Sequence, residues 1–130
     1  MIVAYFFAKY IGKKVKSKGE VIKEKEFNKP AAEYLREALE RCGFDTINIS
    51  PGTSDISLAN RVAKANSLNA DFLICKHYNA LGSSFQTKAK GIVSIYNNGS
   101  TKGKKAATLI QEELIKTHSG YSYGARSYKD

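Results

Sequence analysis

The chain has 130 residues, 42% hydrophobic and 25% charged, with a formal net charge of +9 from 21 Lys and Arg against 12 Asp and Glu. That length accommodates one domain with a real core, and the composition excludes a mostly disordered chain. The charge points to an anionic partner, with nucleic acid, anionic lipid and an anionic cell wall as candidates, and no stretch approaches the ~20 apolar residues of a membrane span.

Residues 1–8 read as a first strand rather than a targeting segment, because the apolar run precedes the positive charges and no small-residue cleavage site follows. The chain is therefore expected to be made in the cytoplasm and, were a cell wall its partner, to reach it by release. Residues 9–25 are basic, contain glycine and lack apolar periodicity, so they read as a charged loop. Ala31, Tyr34, Leu35, Ala38, Leu39 and Cys42 fall three and four apart and predict a helix, with Asn28 as its cap, Pro30 in its first turn and Gly43 as its stop.

Residues 44–49 read as a strand closed by a Pro51-Gly52 turn, and Asp55 as the cap of a helix presenting Leu58, Val62 and Ala65. Residues 71–77 form the expected central strand, 79–90 a polar loop and 91–96 another strand. Asn97-Asn98-Gly99 is a turn, and Ser100 or Thr101 caps a last helix carrying Ala106, Leu109, Ile110, Leu114 and Thr117. Residues 118–130, rich in Gly, Ser and Tyr, read as a loop or tail. The fold class this order predicts is α/β, a single mostly parallel twisted sheet flanked by helices and filling one domain, 1–130.

Right-handed crossovers place the loops after Ala8 and after His77 at the carboxyl ends of strands, where α/β proteins keep their chemistry. His77 follows the apolar run Phe72, Leu73, Ile74 and Cys75. On the residues alone it reads equally as a hydrogen-bonded sheet-edge residue, and Glu24 as a solvated charge in a Lys/Glu-rich loop. Both side chains are chemically suited to zinc, which takes nitrogen and oxygen ligands and keeps a position for water in hydrolases. Cys42 and Cys75 read as free buried thiols. Cys75 with His77 offers no evident oxyanion hole for cysteine catalysis. Asp71 reads as a turn or cap residue.

The stretch EKEFNKPAAEYLREALERCGF, from Glu24 to Phe44, resembles the glutamate and following helix of the zinc-dependent N-acetylmuramoyl-L-alanine amidases of autolysins, sporulation enzymes and phage endolysins. ANRVAKANSLNADFLICKHYNALGSS, from Ala59 to Ser84, resembles their arginine-containing helix and the strand ending in a histidine followed by Asn-Ala. GIVSIY, from Gly91 to Tyr96, resembles the strand after it. The resemblance runs from about residue 20 to residue 128. It implies an amidase-like fold, zinc as cofactor, and cleavage of the amide between N-acetylmuramic acid and L-alanine in peptidoglycan. It also implies Glu24 and His77 as metal ligands, Asn79 as a site-lining residue, and Arg61 and Asn66 as residues that fix their helix against the site loops.

Two departures accompany the match. Where the family has a Gly-His pair after its first strand, this chain has Ala8-Lys9, so Lys9 is expected to line the site without replacing the histidine as a ligand; the other histidine, His118, follows the last helix. The family's catalytic glutamate lies on a strand beyond a segment like SYGARSYKD, where this chain ends, which implies truncation at the C-terminus and no assignable catalytic residue. Reduced zinc occupancy is the corresponding expectation. A catalytically inactive amidase-like fragment or peptidoglycan-binding protein, drawn also to anionic wall polymers, is the alternative function. Nucleic-acid binding ranks behind both, because the lysines and tyrosines form no recognised motif.

Overall fold

The computed structural model describes residues 2–7, 14–17, 20–51, 56–77, 91–117 and 120–128, with side chains from residue 28 onward. Its elements run β1 (Ile2–Phe7), β2 (Lys14–Ser17), β3 (Glu20–Lys23), α1 (Glu24–Arg41), β4 (Asp45–Asn48), α2 (Leu58–Ser67), β5 (Phe72–Lys76), β6 (Ile92–Asn97), α3 (Thr101–Thr117) and β7 (Ser122–Tyr128). The chain divides into two compact units, Met1–Phe85 and Gln86–Asp130.

In the first unit β1 lies between β4 and β5 and runs parallel to both, from Ile2↔Asp45 on one side to Phe7↔Lys76 on the other. Within this sheet the middle position belongs to β1, not to β5 as the apolar run after Asp71 suggests. Parallel neighbours on both sides suit a strand as continuously apolar as IVAYFF. The basic segment after β1 is not a loop throughout. Lys14–Ser17 and Glu20–Lys23 pair antiparallel, with Ser17 opposite Glu20. Four-residue strands containing Val15, Val21 and Ile22 are too short to set up a legible alternation against so many lysines.

Helix α1 begins seven residues earlier than the apolar spacing indicates. Glu24 and Glu26 in its first turn favour the positive end of the helix dipole, and good helix formers follow. Asn28 is therefore not a cap but a fully buried residue inside the helix, and Pro30 sits in the second turn, where its ring removes the donor to the Glu26 carbonyl. The stop at Gly43 is as expected. With φ at +83°, Gly43 donates to the Glu40 carbonyl (3.0 Å) and Phe44 to the Leu39 carbonyl (3.1 Å), the paired bonds of a Schellman ending.

Ser57 caps α2 by accepting from the Asn60 amide at 3.3 Å; Asp55, the expected cap, lies outside the described residues. The face of α2 that packs inward carries Arg61 and Ala65, whereas Leu58 and Val62 are exposed. Ala65 is small enough to approach Ile49, and Ala70 packs against the same pair.

In the second unit α3 connects β6 to β7, which pair in parallel from Ile92↔Ser122 to Asn97↔Tyr128. Residues 122–128 are thus a strand and not a loop or tail. Their polar and small side chains hide the strand from hydrophobic periodicity, and the register gains one residue on β7 around Gly124, whose φ is +73°. The turn Asn97–Ser100 closes through the Ser100 amide and the Asn97 carbonyl, and Ser100 caps α3 through its hydroxyl, which accepts from the Gly103 amide at 3.0 Å. The buried face of α3 is Ala107 and Gln111; Leu109, Ile110 and Leu114 are exposed, which corrects the expected stripe. Among the described residues three of the four strand pairs are parallel, so the fold is α/β with its strands flanked by helices.

Candidate functional site

The site-forming edge follows from the register. Because β1 and β5 are parallel and end level with each other at Phe7↔Lys76, the backbone leaves both strands at the same edge of the sheet. His77 is the first residue beyond β5 and is exposed. Glu24 is the first residue of α1, directly after β3. The Glu24 side chain, Lys9 and Asn79 lie outside the described residues. Among the described residues no three His, Cys, Asp or Glu side chains group closely enough to hold a metal ion.

The surroundings of His77 carry strong electrostatic signals. Cys75, two residues before it, is exposed as a residue, as is Cys42, so neither is the buried thiol its apolar neighbours suggest. The Cys75 sulfur is nevertheless desolvated enough to push its thiol up to about 11, with the Arg61 guanidinium opposing part of that rise. A thiol held up there is a poor nucleophile near neutral pH, which argues against cysteine catalysis. Arg61 thereby lies within electrostatic reach of β5. Arg61 is buried on α2, whereas Asn66 is exposed. Burial also holds the Lys76 ammonium below its ordinary range.

An open depression lies elsewhere, lined by Glu40, Gly43, Phe44, Asp45 and Thr46. Asp45 pairs with Ile2, so this depression belongs to the amino-terminal end of the sheet, opposite the edge that carries His77. Of its two carboxylates, Glu40 and Asp45, the first is engaged. Glu40 accepts from the Thr46 hydroxyl at 2.7 Å and from Arg36 at 2.7 Å, and these bonds, Thr46 first, hold it below the usual carboxylate range. This corner joins α1 to β4, away from the edge that carries His77.

The profile of the N-acetylmuramoyl-L-alanine amidases matches residues 10–129. The chain belongs to this family. Solved structures agree at the level of the fold. The catalytic domain of CwlV, an N-acetylmuramoyl-L-alanine amidase from Bacillus (Paenibacillus) polymyxa var. colistinus, superposes with a TM-score of 0.75 at 21% identity, covering 100% of this chain and 72% of that one. An N-acetylmuramoyl-L-alanine amidase from Clostridium difficile 630 gives 0.79 at 24% identity, over 98% and 69%. Cwp6 from Clostridium difficile gives 0.86 at 19% identity, over 99% of this chain and 20% of Cwp6. No curated protein sequence matches the chain.

Within this amidase-family frame the donor set can be compared with what zinc requires. Catalytic zinc takes three protein ligands and a water. At the position where the family pattern places a histidine after the first strand, this chain has Lys9, whose ammonium carries no lone pair near neutral pH. By the family resemblance Glu24 and His77 would supply two donors of the required three. The residues present do not fit a complete catalytic zinc centre of the family type.

Proposed function

We propose that this amidase-family chain binds peptidoglycan without hydrolysing it alone. The observation that carries this reading is Lys9, a cation two residues beyond the end of β1, in the place of the first metal-binding histidine. By the family resemblance, lysine in that place removes a ligand and substitutes a positive charge for it, and both effects oppose a bound dication. The net charge of +9 supports attraction to an anionic wall.

The experiment is co-sedimentation with purified peptidoglycan, run beside an assay for newly released L-alanine amino groups, with and without added zinc. The expected outcome is sedimentation with no release in either condition. Zinc-dependent release that disappears in His77→Ala and Glu24→Ala would overturn the reading. That result would support instead the hydrolytic one, cleavage of the N-acetylmuramic acid to L-alanine amide, for which retention of Glu24 and His77 is the supporting observation. Elemental analysis after zinc exposure provides the independent readout, with occupancy far below one expected.

A further inference from the structure

We infer that one face of the β2–β3 hairpin is a binding surface for a linear phosphodiester polyanion of the cell wall, of the teichoic-acid class. This rests on the wall-binding reading above and assigns that binding to a defined element. Residues 9–25 contain seven lysines against two glutamates, so this segment supplies five of the nine net positive charges of the whole chain. The charge is concentrated, and the hairpin register sorts it.

Directly opposed residues of an antiparallel pair share a face, and residues two apart on a strand share it too. The pairs Lys14↔Lys23 and Lys16↔Val21 therefore belong to one face, while Val15↔Ile22 and Ser17↔Glu20 belong to the other. The first face holds three lysines and no acid. The second holds both apolar residues of the central pair and the hairpin's acid. Like charges directly opposite each other destabilise a strand pair, so Lys14 against Lys23 is a local conflict within the ribbon that a bound anion relieves. Lys14 and Lys16 repeat at about 6.8 Å along the strand, which presents charge periodically to a polymer that itself repeats a charge along its length.

A polyanion is favoured over a single phosphate because the segment's sequence has no glycine-rich phosphate loop and offers several lysines on one face rather than one clustered charge. The wall polymer is favoured over nucleic acid by the family to which the chain belongs. The hairpin also leads without interruption into Glu24, so a polymer held there would be tethered beside the start of α1.

The test titrates the full chain with soluble poly(glycerol phosphate) across a series of NaCl concentrations, and measures co-sedimentation with walls before and after chemical removal of their phosphodiester polymer. Three variants accompany the parent. Lys14→Gln/Lys16→Gln/Lys23→Gln removes the face, Lys102→Gln/Lys104→Gln/Lys105→Gln removes equal charge from α3, and Lys14→Arg/Lys16→Arg/Lys23→Arg keeps the charge. The hairpin Gln triple is expected to weaken poly(glycerol phosphate) binding at least tenfold and to flatten the slope of log K against log salt by about 2, on the single-strand value of ~0.7 per neutralised phosphate. The α3 triple should change affinity by less than threefold, and the Arg triple should bind as the parent does. Equal loss in the two Gln triples would reduce the effect to net charge and overturn the inference. So would undiminished sedimentation with stripped walls, which would leave peptidoglycan binding itself standing, or equal affinity for single-stranded DNA of the same charge number at the same salt.

Discussion

Gln111 is 4% exposed on α3 and makes three hydrogen bonds. Its carbonyl oxygen accepts from the Ser94 hydroxyl at 2.9 Å, and its amide nitrogen donates to the Ile92 carbonyl at 3.0 Å and to the Ser122 hydroxyl at 2.9 Å. One side chain thus joins the helix to both parallel strands and satisfies groups that its removal would strand. Gln111→Leu should destabilise the chain by about 2 kcal/mol, the desolvation of the orphaned partners outweighing the added apolar area. Urea denaturation reads this as a lowered midpoint with an unchanged slope. Cys75 gives a second test at this scale. Its folded pKa, about 11, lies above the reference thiol value of 9.0, so its contribution to stability is fully present below that value and is lost as pH rises towards 11. Iodoacetamide labelling followed by mass spectrometry should show Cys75 modification rising with a midpoint near 11; a midpoint at the ordinary thiol value would refute the desolvation. The place of His77 just past the end of β5 could be read from the sequence because an apolar strand announces its own end. Gln111 could not, since a glutamine among lysines and glutamates looks like a solvated helix face until its partners are known.

At the scale of elements, the strongest sequence signals were those with a local cause. Gly43 stops α1 because the left-handed conformation requires glycine there, and Ser100 caps α3 through its own hydroxyl; both are written in adjacent residues. β7 escaped because pairing with β6, not its own apolar pattern, makes it a strand, and the start of α1 was placed too late because a proline suggested a first turn. The two glycines Gly43 and Gly91 separate two kinds of requirement. A Cβ on Gly43 meets nothing within 4 Å, so Gly43→Ala should cost about 1 kcal/mol for the positive φ alone. A Cβ on Gly91 would stand 2.2 Å from the Tyr121 carbonyl oxygen, whose bond to the Ile92 amide at 2.9 Å anchors the entry to β7. Gly91→Ala should therefore be the more damaging by at least ~2 kcal/mol, and thermal melts of the two variants side by side check the order. Equal shifts would show that close approach at Gly91 contributes nothing.

Across the whole molecule, charge governs behaviour more than any single contact. A net +9 on 130 residues implies long-range attraction to anionic walls that weakens as the screening length shrinks from about 10 Å at 0.1 M salt to about 3 Å at 1 M. Sedimentation with intact walls should fall steeply over that range, and salt-independent binding would assign the affinity to uncharged contacts. The α/β class was legible because alternating strand and helix patterns constrain the layers, while the candidate site was legible only in part. Glu24 and His77 stood out through family resemblance, not through spacing, because two residues more than fifty positions apart carry no shared local pattern.

The position of β1 has a consequence for how the chain is made. It leaves the ribosome before both of its neighbours, for Ile2 pairs with Asp45 and Phe7 with Lys76, 69 positions further on. At about 5–20 residues per second, β1 waits roughly 3–14 s after its own synthesis before its second neighbour exists. During that interval a run of six residues, IVAYFF, has unpaired backbone on at least one side and high strand propensity. Nascent-chain yield should therefore depend on chaperone occupancy at short chain lengths, and a polar substitution within this strand that improves soluble expression while lowering final stability would separate the two demands placed on it.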